Sequence, residues 1–86
     1  MEPPFSFWRD NVGHEVDLIR TQGDKQIAYE IKSGATFSSD YFKGLTYWGE
    51  LSQATNEEKT VVYGGDSSFI TSNGIVCPWN KIETIL

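Results

Sequence analysis

The chain has 86 residues, 12 acidic and 7 basic side chains, a net charge of −5, a single cysteine and three Trp, four Tyr and five Phe. That length gives one domain, residues 1–86, near the lower limit of what folds unaided; the lone cysteine excludes an internal disulfide framework, so aromatic packing has to hold the core. The acidic balance opposes phosphate and excludes nucleic-acid binding through a general basic surface. No run approaches the roughly 18 apolar residues of a membrane span and the N-terminus has no signal-peptide pattern, so the expectation is a cytoplasmic protein with no membrane partner.

Phe5 to Asp10 alternates loosely and ends at Asn11-Val12-Gly13, which predicts a strand running into a turn. Glu15 to Thr21 and Gln26 to Lys32 are the clearest strands. Val16 and Leu18 alternate with Glu15 and Asp17, and Ile27, Tyr29 and Ile31 alternate with Ala28, Glu30 and Lys32. Such a period of two predicts one buried and one polar face. Gln22-Gly23-Asp24-Lys25 reads as a tight hairpin. Counting outward from Gly23-Asp24 pairs Thr21 with Gln26, sets Asp17 opposite Glu30 and Glu15 opposite Lys32, and puts all four on the polar face.

Ser38 or Ser39 caps a helix expected to run to about Gln53. Tyr41, Leu45, Trp48 and Ser52 form its apolar stripe, thickened by Phe42 and Leu51. Gly44 and Gly49 each weaken that helix by up to about 1 kcal/mol, so close packing on the sheet is expected to keep it in place. Thr55 to Glu58 is a loop and Lys59 to Tyr63 a β-branched strand. Gly64-Gly65-Asp66 reads as a turn, since no helix signal follows it. Gly74 to Cys77 is a final strand stopped by Pro78, with a helical turn or two beginning at about Trp79 or Asn80. The predicted order is β-β-β-α-β-β plus a short C-terminal helix: an α/β (α+β) domain with a mixed central sheet.

Two carboxylates facing each other on a sheet repel by some tenths of a kcal/mol, up to about 1, and a hard cation such as Mg²⁺ or Mn²⁺ relieves that. Lys32, two residues beyond Glu30 on the same face, is placed to orient a water or to stabilise charge growing on a phosphate. The residues equally fit a solvated face with a Glu15–Lys32 ion pair. His14 reads as an auxiliary ligand or base, or as a surface residue of the turn. Cys77 reads as a small buried hydrophobe. Trp8, Trp48 and Trp79, with no basic patch between them, read as core or interface residues.

Gly13-His14-Glu15-Val16-Asp17-Leu18-Ile19 followed by Tyr29-Glu30-Ile31-Lys32-Ser33-Gly34 resembles the G-x-E-V-D-L-I … E-x-K-S pattern of PD-(D/E)XK nuclease-like proteins, archaeal Holliday-junction resolvases among them. Phe7-Trp8-Arg9-Asp10, the stretch from Gly34 to Leu45, Val62 to Asp66 and Val76-Cys77-Pro78-Trp79 resemble the C-terminal domain of uncharacterised function that follows the ATPase module in a large family of prokaryotic AAA+ proteins. The resemblance covers nearly the whole chain. It implies a restriction-endonuclease-like core with Asp17 and Glu30 as metal ligands, the peptide carbonyl of Ile31 as a further ligand, and Lys32 as the catalytic lysine. It also implies Mg²⁺ or Mn²⁺ as cofactor, DNA as substrate and an N-terminal AAA+ ATPase module of the same protein as partner.

Two departures limit the resemblance. The core usually opens with a helix, and none is predicted before Phe5. No G-x-x-x-x-G-K-[ST] loop occurs, so the ATPase is absent from this chain. The sequence therefore reads as the excised C-terminal part of a larger ATPase, inactive by itself. The competing expectation is a non-catalytic interaction or regulatory module that keeps the nuclease fold, suggested by the net charge and the surplus of aromatics.

Overall fold

A computed structural model describes residues 5–84. β1 (Phe5–Arg9), β2 (Glu15–Gln22) and β3 (Lys25–Ile31) form an antiparallel meander. A 3-10 turn over Ser39–Phe42 leads into the helix α1 (Lys43–Ser52), then come β4 (Lys59–Tyr63), β5 (Phe69–Thr71), β6 (Gly74–Pro78) and a closing 3-10 segment, Trp79–Thr84. The six strands make one mixed sheet in the order β1-β2-β3-β4-β6-β5, parallel between β3, β4 and β6 and antiparallel elsewhere. The expected mixed sheet, crossover helix and C-terminal helical turn are all present. One short strand is added: β5 pairs back on β6 through the two-residue turn Ser72-Asn73, with Thr71 opposite Gly74.

Ser38 caps the helical region through its Oγ, which accepts the Asp40 N–H, but the first turn is 3-10 and the α-helix proper starts only at Lys43. Gln53 ends α1 in a left-handed conformation, its N–H donating to the Gly49 carbonyl. α1 lies across β2, β3 and β4. Leu45 and Trp48 go into the core with Phe42, against Val16, Ile19, Ala28, Val61 and Val76. Leu51, expected on this stripe, is exposed, because the packed face is narrower than the predicted one.

The predicted faces of β3 are corrected at their C-terminal end. Ile31 is 52% exposed while Glu30 is only 7% exposed. β3 is an interior strand with a parallel neighbour, so both its faces are covered along the middle; Ala28 and Tyr29 are equally buried. Alternation alone cannot register a helix arriving from later in the chain.

Candidate functional site

The expected hairpin register holds from Gln22 opposite Lys25 to Leu18 opposite Tyr29, and there the ladder ends. The cause is a β-bulge in β2. The step from Ser6 to Trp8 on β1 faces the longer step from Ile19 to Val16 on β2, so β2 carries one extra residue around Asp17 and Leu18. Bulges re-aim side chains. Here Val16 and Ile19 both reach the core, which strict alternation forbids, and the Asp17 carboxylate is released from the ladder. Its Oδ2 accepts the Ile31 N–H at 2.9 Å, replacing a backbone carbonyl. The N–H and C=O of one strand residue point to the same side, so the Ile31 carbonyl shares the Asp17 side of β3.

Glu30 lies between these groups and the helix. Its Oε1 meets Lys32 Nζ at 3.4 Å, while its Oε2 is buried without a hydrogen-bond partner. Burial, then a hydrogen bond and charge from the adjoining Asp17 carboxyl, push the Glu30 carboxyl up from 4.5 to about 7 against the opposing pull of Lys32. The expected Glu15–Lys32 ion pair is replaced: Glu15 stands opposite Arg9 in the β1–β2 register, and the Lys32 ammonium turns to Glu30 and lies 5.7 Å from the centre of the Tyr41 ring. Gly44 lets α1 close over this corner. A Cβ there would collide with the Glu15 carbonyl oxygen and lie 3.7 Å from Glu30 Oε2.

The result is an open cleft of about 240 Å³ between the β1–β2 turn, the end of β3 and the start of α1, lined among others by His14, Glu15, Glu30, Lys32, Tyr41 and Lys43. Tyr41 and Lys43 carried no signal beyond helix periodicity. Asp10 is a further residue that pattern reading passed over; its signal was the Asp-x-x-Gly-His turn. Asp10 Oδ1 accepts the N–H groups of Val12 at 3.0 Å and His14 at 2.9 Å, and its Oδ2 meets His14 Nδ1 at 2.9 Å.

The donor set around Glu30 fits a hard divalent cation. Two carboxylates adjoin, and one buried oxygen is orphaned. Among the described residues no group of three or more His, Cys, Asp and Glu side chains gathers closely enough to hold a metal. Mg²⁺ does not require one, since it keeps several waters and binds through one or two carboxylates.

Fold and cleft together define a small α+β domain whose cleft is lined by Glu30 and Lys32 at one end of a mixed sheet, with Asp17 adjoining Glu30 outside the lining. Over residues 1–82 the sequence matches the family model described as a domain of unknown function, DUF4143, and the chain belongs to that family. Neither a curated protein nor a solved structure matches it. Among the described residues no helix is long and apolar enough to cross a membrane.

Proposed function

We propose that this domain hydrolyses phosphodiester bonds of DNA in the manner of PD-(D/E)XK nucleases, as the accessory domain of a AAA+ ATPase. The observation that carries this reading is the junction of Asp17 with a buried, proton-retaining Glu30 whose Oε2 has no partner, with Lys32 alongside. Such a carboxylate pair is relieved either by the proton on Glu30 or by a bound cation, and a cation would take the proton's place. Asp17, Glu30 and the Ile31 carbonyl would hold Mg²⁺ or Mn²⁺, which supplies charge neutralisation and a water of lowered pKa. Lys32, tethered at Glu30, brings a positive charge toward the non-bridging phosphate oxygens. The sequence resemblance, which rests on the same residues, favours the same assignment.

The test has two arms. In Mg²⁺ or Mn²⁺ titrations of the chain, amide shifts are expected to concentrate at Asp17, Glu30 and Ile31; silence at millimolar metal counts against the site. In the intact protein with its ATPase module, Asp17→Ala and Lys32→Ala are expected to lower cleavage of plasmid or branched DNA by about 10²–10³-fold. Undiminished cleavage in both variants overturns the mechanism.

A second reading is favoured by one specific observation. Ile31 and Trp79, 52% and 65% exposed, line an open hollow of about 500 Å³ beside Ser33 and Gly64. Aromatic and aliphatic side chains presented this way suit docking on another protein surface. A non-catalytic interaction module predicts that Trp79→Ala abolishes association with the ATPase module while Asp17→Ala changes nothing.

A further inference from the structure

We propose that His14 is the proton-transfer group of the cleft, with Asp10 as its positioning residue; this rests on the phosphodiester-hydrolysis reading and completes it. That chemistry needs an acceptor for the proton of the attacking water. Lys32 cannot serve while it stays an ammonium paired to Glu30, because an ammonium has no lone pair. Asp17 and Glu30 are committed to the cation.

His14 is held as a base has to be held. The β1–β2 turn is closed by Asp10 N–H donating to the His14 carbonyl at 2.9 Å, with Gly13 at a φ of 96° that favours glycine. The Asp10 carboxyl sits below its usual range: desolvation pushes it up, but hydrogen bonds from the His14 backbone and ring and from Val12, with the His14 charge, outweigh that. An ionised carboxylate only accepts, so its 2.9 Å contact requires a proton on Nδ1 of His14; in the neutral ring this leaves the Nε2 lone pair for chemistry.

One face of the imidazole lies flat on Tyr47, centroids 3.7 Å apart and planes 3° from parallel. Ring plane and tautomer are thus both fixed for a side chain that lines the same cleft as Glu30 and Lys32 and remains about one-third exposed. The ionisable groups around it are Asp10 in its own turn, Glu15 on β2, Glu30 on β3, Lys32 just past the end of β3, Asp40 ahead of α1 and Lys43 at its start. Among these side chains the imidazole, with its proton on Nδ1, is the one that keeps a nitrogen lone pair able to accept a proton.

In the step, the water oxygen bonds to phosphorus while its proton passes to Nε2. The bond from phosphorus to the leaving ester oxygen breaks, that oxygen keeps the electron pair and takes a proton from solvent, and His14 then returns its own proton to solvent. The products are a phosphomonoester and a free hydroxyl.

Two measurements test this. Nitrogen-resolved NMR of the chain is expected to show neutral His14 as the Nδ1–H tautomer, and Asp10→Asn to shift the population toward Nε2–H; a wild-type Nε2–H tautomer overturns the proposal whatever the activity. DNA cleavage by the intact protein is then followed across pH. An inactive wild type, or Asp17→Asn cleaving as well as wild type, overturns the hydrolysis reading and this proposal with it. Given an active wild type and an inactive Asp17→Asn, His14→Asn keeps a donor for Asp10. Assayed with Mg²⁺ saturating at every pH, so that the Glu30 proton no longer shapes the profile, it is expected to lose about 10²–10⁴-fold in kcat, with little change in KM and without the remaining acid limb. His14→Ala is expected to recover activity with added imidazole. A loss that leaves the pH profile unchanged and does not respond to imidazole means that His14 only braces the turn, and overturns the proposal alone.

Discussion

Glu30 couples the cleft to stability through one proton. Its carboxyl titrates near 7 in the folded chain against an ordinary value of 4.5, so the folded state keeps a proton that the unfolded state has already released. Stability from this group is complete below about pH 4.5, falls as pH rises through 7, and is level above that. At 1.36 kcal/mol per unit the full swing is roughly 2–3 kcal/mol after some allowance for solvent. Glu30→Gln, neutral throughout, is expected to flatten this slope and to be the more stable form at pH 8 by about that amount in urea unfolding without metal. A variant less stable than wild type at pH 8 would show that Glu30 is comfortably ionised. Hairpin counting was right from Gln22–Lys25 to Leu18–Tyr29, but the bulge ends that ladder before Asp17, whose carboxylate reaches the Ile31 N–H instead, so the arrangement around Glu30 was legible only in part. The burial of Glu30 was not legible, because α1 and Gly44 supply it from more than ten residues away.

Between elements, the close approach of α1 to β2 is where fold and site share a constraint. Gly44 and Gly49 both read in sequence as helix weaknesses excused by packing, but their surroundings differ. A Cβ at Gly44 would strike the Glu15 backbone carbonyl, which cannot move without shifting β2 beside the bulge; at Gly49 it would meet the flexible Lys59 side chain at 2.9 Å. Gly→Ala gains up to about 1 kcal/mol of helix propensity at either site, whereas overpacking against rigid backbone costs about 1–3 kcal/mol. Gly44→Ala is therefore expected to lower the urea midpoint, by about 1–2 kcal/mol of stability, and Gly49→Ala to leave it unchanged or raise it. Equal effects would mean that α1 floats on the sheet. The helix, the meander and the parallel strand β4 were legible because periodicity and capping residues report local preference. The bulge was not: Asp17 and Leu18 look like ordinary alternating residues, and only β1 pairing across Ser6 and Trp8 exposes the extra one. β5 escaped notice because three residues are too few for a periodic signal, although Ser72-Asn73 turns its hairpin.

For the molecule as a whole, 86 residues place total stability at roughly 4–13 kcal/mol, so one ill-placed carboxylate or one bound ion is a large share. The cleft joins β2, β3 and α1, and a cation held by Asp17 and Glu30 would therefore stabilise the global fold rather than a loop. Metal at a hundred times its Kd contributes about 2.7 kcal/mol, and in a domain of this size each kcal/mol moves Tm by roughly 4–8 °C. Below pH 7 the ion also has to expel the Glu30 proton, which weakens its apparent affinity by about tenfold per unit. Calorimetric scans at fixed millimolar Mg²⁺ are accordingly expected to show a clear rise in Tm at pH 8, a much smaller one at pH 6, and almost none at either pH in Asp17→Asn. The control is NaCl at matched ionic strength, because a chain of net charge −5 gains from any screening of its self-repulsion. Screening acts on wild type and Asp17→Asn alike and does not depend on the proton at Glu30. A rise equal in both proteins and at both pH values would assign the whole effect to the acidic surface and leave the carboxylate pair without a cation.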